Sequence, residues 1–179
     1  MQLATANLFR AQWSDEIQEE WINALLREKK YTREQLNYTK TTMNRALLDA
    51  NVTDYAQHIA GVTLPDPDDR HVVAAAIKGR ADAIVTFNLK DFPAAALAPF
   101  NLEAIHPDDF ITHQFDIHEA AVIQAATTIC RRLKNPPKTG KDYLDTLLQQ
   151  RLPKTVALLR PYETVICPFG GGSSGNPVN

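Results

Sequence analysis

The chain has 179 residues, enough for one domain of ordinary size with a small appendage and a core that needs no disulfide staples. Its 19 basic and 21 acidic residues give a formal net charge of −2, which excludes nucleic-acid binding through bulk positive charge and leaves only a local basic patch. No segment approaches the roughly 18 consecutive apolar residues of a membrane span, and the N-terminus lacks the pattern of a signal peptide.

The two cysteines, Cys130 and Cys167, lie far apart and form no CxxC or Cys/His pattern. This spacing argues against a zinc site and against a secreted fold built on disulfides. We therefore expect a cytoplasmic protein with no membrane partner, in which Cys130 is a small apolar residue of its helix.

Helix signals dominate the first third of the chain. Ser14 is a candidate N-cap, and apolar residues recur at helical spacing to about residue 28. Thr32 and Gln35 have the spacing of a capping box and predict the start of a second helix. Residues 51–63 are less periodic and predict a short helix or a turn.

The segment LPDPDDRHVVAAAIKGRADAIVTFNLKDFP, residues 64–93, combines acidic residues with strong helix and strand signals. Prolines hold the chain extended ahead of Asp68 and Asp69, either of which could cap the helix that ends at Gly79. The β-branched run 83–87 predicts a buried parallel strand, and Asp91 follows it in a turn. A helix that leads this closely into a strand predicts an α/β fold.

A second strand is expected at 102–105, and strand signals stop at about residue 112. Helical patterns then follow, one opening at Pro107 and others over 118–133, 141–150 and 154–160. We therefore predict an α/β domain over 1–111, a helical extension over 112–160 and a tail over 161–179. The tail holds a β-like run at 163–167 and then a flexible Gly/Ser-rich end.

Acidic side chains from separate elements could form a divalent metal site. Hard cations such as Mg²⁺ and Mn²⁺ prefer carboxylate oxygens, and ligands of open α/β sheets bind beyond the carboxyl ends of the strands. The candidates lie on the first long helix, before the next helix and after the strand: Glu16, Glu19, Glu20, Asp66, Asp68, Asp69 and Asp91.

Each of these acids also has an ordinary structural interpretation. An aspartate before a helix is most often a cap, and Asp91 alone is as often a turn residue. Glu16 and Glu19 fall outside the apolar stripe of their helix, which favours solvated charges, whereas Glu20 flanks that stripe. The five histidines show no ligand spacing, which favours surface or capping roles for His71 and the others.

The motifs WSDEIQEEW and HPDDF, together with residues 64–93, resemble the PIN-domain nucleases of bacterial type II toxin–antitoxin systems, specifically the VapC-like toxins. The segments RRLKNPP, DYLDTL and LPKTVALLR resemble the C-terminal extension of the larger group of these toxins. The resemblance covers roughly residues 3–160. It implies a PIN-like three-layer α/β fold, with a parallel sheet flanked by helices, followed by a small all-helical extension.

The resemblance further implies an endoribonuclease that depends on Mg²⁺ or Mn²⁺, cleaves RNA such as tRNA and is neutralised by a cognate antitoxin. Transferred residue by residue, it assigns catalysis to Glu20, Asp69 and Asp91. It assigns metal binding to the same three with Asp68, the neighbouring choice to Asp69, and with Asn88, an amide where the family has a carboxylate. We also expect a homodimer.

The densest basic run lies between residues 131 and 141. Arg131, Arg132 and Lys134 are candidate contacts to RNA phosphates, and a solvated helix end is the alternative interpretation.

The resemblance places Met1 near the end of the helix that follows the family's first strand, so we expect that strand, and the aspartate at its end, to have no counterpart in the given sequence. Two hypotheses therefore stand. One is a metal-dependent ribonuclease. The other is a truncated PIN remnant, impaired in catalysis, that binds an antitoxin or dimerises. One hypothesis is that the β-like run 163–167 covers the open sheet edge, and a domain-swapped dimer or a partner chain is the alternative.

Overall fold

The computed structural model describes residues 2–134 and 136–167. The chain divides into two compact units, the first spanning Leu3–His106 and the second beginning at Pro107. We expected the boundary near residue 112, whereas that position lies inside a helix that begins at Pro107. Proline is tolerated in the first turn of a helix, so the second unit can begin directly after the last strand of the first.

Helices precede the sheet of the first unit. They are α1 (Gln2–Thr5), α2 (Asp15–Arg27), α3 (Arg33–Ala46), α4 (Ala56–Ile59) and α5 (Arg70–Gly79). The capping box predicted for α3 is confirmed, since Thr32 accepts from the backbone of Gln35 and the Gln35 side chain accepts from the backbone of Thr32. A 3₁₀ turn, Pro67–Asp69, leads directly into α5.

The described sheet contains two parallel strands, β1 (Ala83–Val85) and β2 (Glu103–Ile105), with Ala83 opposite Glu103 and Val85 opposite Ile105. A 3₁₀ turn (Leu89–Asp91), helix α6 (Ala94–Leu97) and a second 3₁₀ turn (Ala98–Phe100) connect them. Apolar residues of the segment before α5, of α5, of β1 and of the connection between the strands form one core cluster: Val62, Leu64, Val73, Ile84, Phe92, Leu97 and Leu102. The predicted α/β class with a parallel sheet is confirmed.

The second unit is helical in the residues described. It contains α7 (Pro107–Arg132), α8 (Gly140–Gln149), α9 (Pro153–Leu159), a 3₁₀ turn (Arg160–Tyr162) and α10 (Glu163–Ile166). Helix α7 is kinked at His118, where φ is −143° and ψ is 60°. Neither α7 nor any other described helix combines the length and apolarity that crossing a membrane requires.

The strand expected at 163–167 is wrong, because the chain forms helix α10 there. β-branched residues favour strands only where a neighbouring strand accepts their backbone groups. Here Ile166 is fully buried, so packing of a single helical turn prevails over the β-like composition. The Gly/Ser-rich end that we expected to be flexible lies outside the described residues.

The two cysteines form a disulfide within the second unit. Cys130 on α7 and Cys167 after α10 have Cα atoms 5.8 Å apart, and both residues are buried. Cys130 is thus buried in its helix as expected, but its sulfur is bonded. Sequence spacing did not indicate this pairing, because it depends on how α10 packs near α7.

Reduction of this disulfide is expected to destabilise the second unit by about 2–4 kcal/mol, because the bond joins residues separated by 37 positions and restricts the unfolded chain. The measurement is the melting temperature with and without dithiothreitol. A Cys130→Ala/Cys167→Ala variant is the control and should be insensitive to the reductant. An equal melting temperature for the oxidised and reduced wild-type protein would contradict this prediction.

Candidate metal centre

Helix α2 positions Glu20. Ser14, which is fully buried, caps this helix as predicted, accepting a hydrogen bond from the backbone nitrogen of Ile17 at 3.2 Å. The fixed helix start determines which residues share a face, and positions four apart lie one above the other. Glu16 and Glu20 are therefore neighbours on α2.

Glu20 contacts a buried histidine. Its Oε1 lies 2.8 Å from Nε2 of His71, which is on α5 and only 4% exposed. The other ring nitrogen, Nδ1, lies 3.7 Å from Oε2 of Glu16. Our expectation that His71 is a surface or capping residue is wrong. A signal was present, since Ala74 and Ala75 follow at three and four residues and form the same buried face of the helix.

The three aspartates before α5 have different roles. The side chain of Asp66 accepts a hydrogen bond from the backbone nitrogen of Asp68 at 2.9 Å and thereby caps the 3₁₀ turn. Asp69 occupies the N-cap position of α5, but its side chain makes no capping hydrogen bond. The interpretation of Asp68 and Asp69 as side-chain caps is therefore wrong, and the half-buried Asp69 carboxylate is left for another role.

The turn after β1 holds the last pair of candidates. The side-chain amide of Asn88 donates a hydrogen bond to Oδ2 of Asp91. The backbone nitrogen of Asn88 donates to Oγ1 of Thr86 at 3.0 Å, which fixes the beginning of the turn. Both residues follow the carboxyl end of a parallel strand, the edge at which α/β proteins bind ligands.

Asp69 experiences the charge of the surrounding acids. Burial raises the pKa of Asp69, and the negative charges of Asp66, Asp91 and Glu20 raise it further, in that order, while His71 opposes them. These effects require the carboxylates of α2, the turn before α5 and the turn after β1 to share one electrostatic neighbourhood. Glu20 and Asp91 thus lie within electrostatic range of Asp69.

The chemistry of these carboxylates fits a hard divalent cation, which prefers oxygen ligands that carry negative charge. The charged groups that shift the pKa of Asp69 include three acids and His71 but no lysine or arginine. Within residues 2–134 and 136–167, no three His, Cys, Asp or Glu side chains are gathered closely enough to hold an ion as they stand. Two of the acids are instead engaged by neighbouring side chains, Glu20 by His71 and Asp91 by Asn88.

Other predicted residues lie elsewhere. Glu19 pairs with Arg33 at 3.0 Å and with Lys40 at 3.4 Å on α3. The hydrogen bond from Arg33, and then that from Lys40, lowers the pKa of Glu19, which thus belongs to a surface ion-pair network. Asp68 is exposed within the 3₁₀ turn that precedes α5. The candidate RNA contacts are exposed near the end of α7, in the second unit: Arg131, Arg132 and Lys134.

Comparison with known proteins identifies two matching families. A family described as "PIN domain" matches residues 1–90, and one described as "VapC50 C-terminal domain" matches residues 107–161. The first region contains Glu20, Asp68, Asp69 and Asn88, and it ends one residue before Asp91. The second begins at the residue that opens the second unit.

One curated relative is described as "Putative ribonuclease VapC50" from Mycobacterium tuberculosis. It is 42% identical over 104 residues, which are 58% of this chain and 61% of that protein, so the match spans less than two thirds of the relative. No solved structure matches the chain. With a parallel α/β unit whose sequence matches over residues 1–90 of 179, and a helical second unit that matches the VapC50 C-terminal domain, the chain belongs to the PIN-domain family.

Proposed function

We propose that this chain is a metal-dependent endoribonuclease toxin of the VapC type, neutralised by an antitoxin. The observation that supports the proposal best is that Glu20 and Asp91, which lie on separate elements, both act electrostatically on the half-buried carboxylate of Asp69. Membership of the PIN-domain family and the similarity to a protein named as a ribonuclease support it.

The proposed metal donors are Glu20, Asp69 and Asp91, with Asp68 and Asn88 beside them. When bound, Mg²⁺ or Mn²⁺ would lower the pKa of an attacking water and offset the charge that develops on the phosphate. The Asp69 side chain is half-buried and makes no capping hydrogen bond, so its oxygens are not committed to the start of α5. The Asn88 amide occupies Oδ2 of Asp91, which orients that carboxylate and leaves Oδ1 as its second donor.

The second unit supplies the proposed contacts to RNA. Arg131, Arg132 and Lys134 are exposed in a chain whose net charge is −2, so a local basic run would have to supply the attraction to phosphate. Replacing Arg131 and Arg132 by alanine is expected to weaken RNA binding and to reduce its salt slope by about one for each phosphate that is no longer neutralised. An unchanged slope would show that this run is only a solvated helix end.

The substrate and partners follow from the same proposal. We propose structured RNA as the substrate, with tRNA as the expected class, and a cognate antitoxin as the protein partner. An enzyme that acts on such RNA would work in the cytoplasm. A homodimer is also proposed, and size-exclusion chromatography with light scattering would test it, since a monomer at all concentrations would exclude it.

The deciding experiment is cleavage of bulk tRNA by the purified chain in Mn²⁺ and in EDTA. Cleavage is expected with Mn²⁺ and not with EDTA, and Asp91→Asn should reduce it by about 100-fold or more. The matched control is Asp82→Asn, because Asp82 is an exposed acid immediately before β1 and should leave the rate unchanged.

Each other result has a definite meaning. If the wild-type chain cleaves no RNA in Mn²⁺ or Mg²⁺, the proposal fails and the binding-protein hypothesis is favoured. If Asp91→Asn cleaves as fast as the wild type, the acids do not carry the activity and the assignment of the site is wrong.

A further inference from the structure

Glu20 is the most exposed of the three proposed metal donors Glu20, Asp69 and Asp91. Its side chain is 52% exposed, on a helix face that also presents Glu16. An exposed glutamate loses considerable rotamer freedom when it is fixed to a metal ion, and this entropy opposes binding. A neighbour that already holds the carboxylate would reduce that cost.

His71 makes such a contact. The Glu20 carboxylate can only accept hydrogen bonds, so the 2.8 Å contact requires Nε2 of His71 to carry the proton and donate. The imidazole is 4% exposed, so its own position is fixed by packing. The hydrogen bond occupies Oε1 of Glu20 and leaves Oε2 as the oxygen that can face a cation.

Glu16, held by Tyr55, lies near the other ring nitrogen of His71. Nδ1 of His71 is 3.7 Å from Oε2 of Glu16 and has no hydrogen-bond partner among the described residues. Oε2 of Glu16 accepts a hydrogen bond from the hydroxyl of Tyr55 at 3.0 Å. The tyrosine therefore holds Glu16 near the ring. Two glutamates four residues apart repel each other, and here the imidazole contacts Glu20 and lies near Glu16 without a hydrogen bond to it.

We infer that His71 is a positioning residue that holds the Glu20 carboxylate in the orientation required for metal binding. The inference rests on the function proposed above. Residues that hydrogen-bond to a metal ligand and orient it typically weaken metal binding by about 10–100-fold when they are removed. The polar contacts of the ring therefore have a measurable consequence at the metal.

The test compares His71→Leu, which keeps the apolar volume and removes the donor, with His71→Gln, whose amide can donate in place of Nε2. Mn²⁺ affinity is measured by titration calorimetry on the full chain. His71→Leu is expected to bind Mn²⁺ about 10–100-fold more weakly, and His71→Gln to regain most of the loss. His113→Leu, at an exposed histidine of the second unit, is the matched control and should bind as the wild type does.

Equal Mn²⁺ affinity in His71→Leu and the wild type would overturn the inference. It would also be overturned if the glutamine and leucine variants lost affinity equally, since a purely packing role predicts that result. If His71→Leu does not fold, the measurement on the metal-free wild-type chain described next decides.

A measurement without metal separates this inference from the proposed function. In the ¹⁵N spectrum of the metal-free chain, His71 should be protonated at Nε2, with a proton that exchanges slowly and becomes labile in Glu20→Ala. A chain that gives this signal but cleaves no RNA would refute the nuclease proposal alone. A ring that lacks the Nε2 proton would refute the positioning role, whether or not the chain cleaves RNA.

Discussion

Replacing Asp69 by asparagine is expected to abolish metal-dependent cleavage while raising the melting temperature of the metal-free protein. The two effects have one cause. Asp69 is half-buried, and its carboxylate lies in the field of Asp66, Asp91 and Glu20. Asparagine has nearly the same shape but no charge, so it relieves the repulsion and removes a metal donor at the same time. Natural sites often retain such strained charge because function needs it.

The expected sizes differ. Cleavage should fall by about 100-fold or more, as for the loss of one group that stabilises transition-state charge. The melting temperature in EDTA at neutral pH should rise by only about 1–4 °C, because interactions between partly exposed charges are weak. Asp69→Asn loses no capping bond, since the Asp69 side chain makes none.

The pH dependence follows from the direction of the shift. The pKa of Asp69 in the folded protein is raised above its usual value of 3.8, mainly by burial. Its protonated form therefore favours the folded state, a contribution that is fully present below pH 3.8 and is lost as the pH rises through the folded-state pKa. The advantage of Asp69→Asn over the wild type should accordingly be largest at neutral pH and shrink toward pH 3.8.

Thermal unfolding in EDTA at several pH values measures this effect, with Asp82→Asn as the control for removing one exposed negative charge. A lower melting temperature for Asp69→Asn at neutral pH would show that Asp69 stabilises the fold as a structural residue. The proposed site would then lose its central member.

The helix starts could be predicted because their chemistry is local. Ser14 is three residues from the nitrogen it caps, and Thr32 and Gln35 satisfy each other across the same interval. The same logic failed before α5, where Asp66, Asp68 and Asp69 are all chemically able to cap. Asp66 forms the bond because a 3₁₀ turn lies between it and the helix, which the sequence pattern did not indicate.

The remaining features depend on contacts between distant segments. His71 meets Glu20 across 51 positions, and Cys130 meets Cys167 across 37. Helix periodicity shows that His71 shares a face with alanines, but it cannot show that another helix presents a glutamate to that face. The roles of Glu20, Asp69 and Asp91 came from the family resemblance, and the structure adds that the three lie in one electrostatic neighbourhood.

Asp108→Ala is expected to produce the largest loss of stability, in the second unit. Asp108 is 3% exposed, and its carboxylate accepts three hydrogen bonds of 2.7–2.8 Å from the beginning of α9. The donors are the backbone nitrogens of Lys154 and Thr155 and the hydroxyl of Thr155. Leu152, at the N-cap position of α9, makes no side-chain cap, so an aspartate on α7 supplies that function instead.

Alanine would leave these donors buried without partners. Hydrogen bonds to a charged group contribute about 1.5–3 kcal/mol each, but part of the loss is recovered by relaxation, so we expect about 3–5 kcal/mol in total. For a unit of this size such a loss corresponds to a decrease of the order of 10 °C or more in melting temperature. Asp108→Asn should be intermediate, because its amide nitrogen replaces one acceptor with a donor.

Asp109→Ala is the matched control. Asp109 is adjacent in sequence and pairs with the side chain of Lys154, which is 63% exposed, so its loss should cost no more than about 1 kcal/mol. Hydrogen exchange gives a local readout, since the amides of Lys154 and Thr155 should lose protection in Asp108→Ala and keep it in Asp109→Ala. Similar exchange and similar melting temperatures in the two variants would mean that the buried carboxylate does not hold α9 against α7.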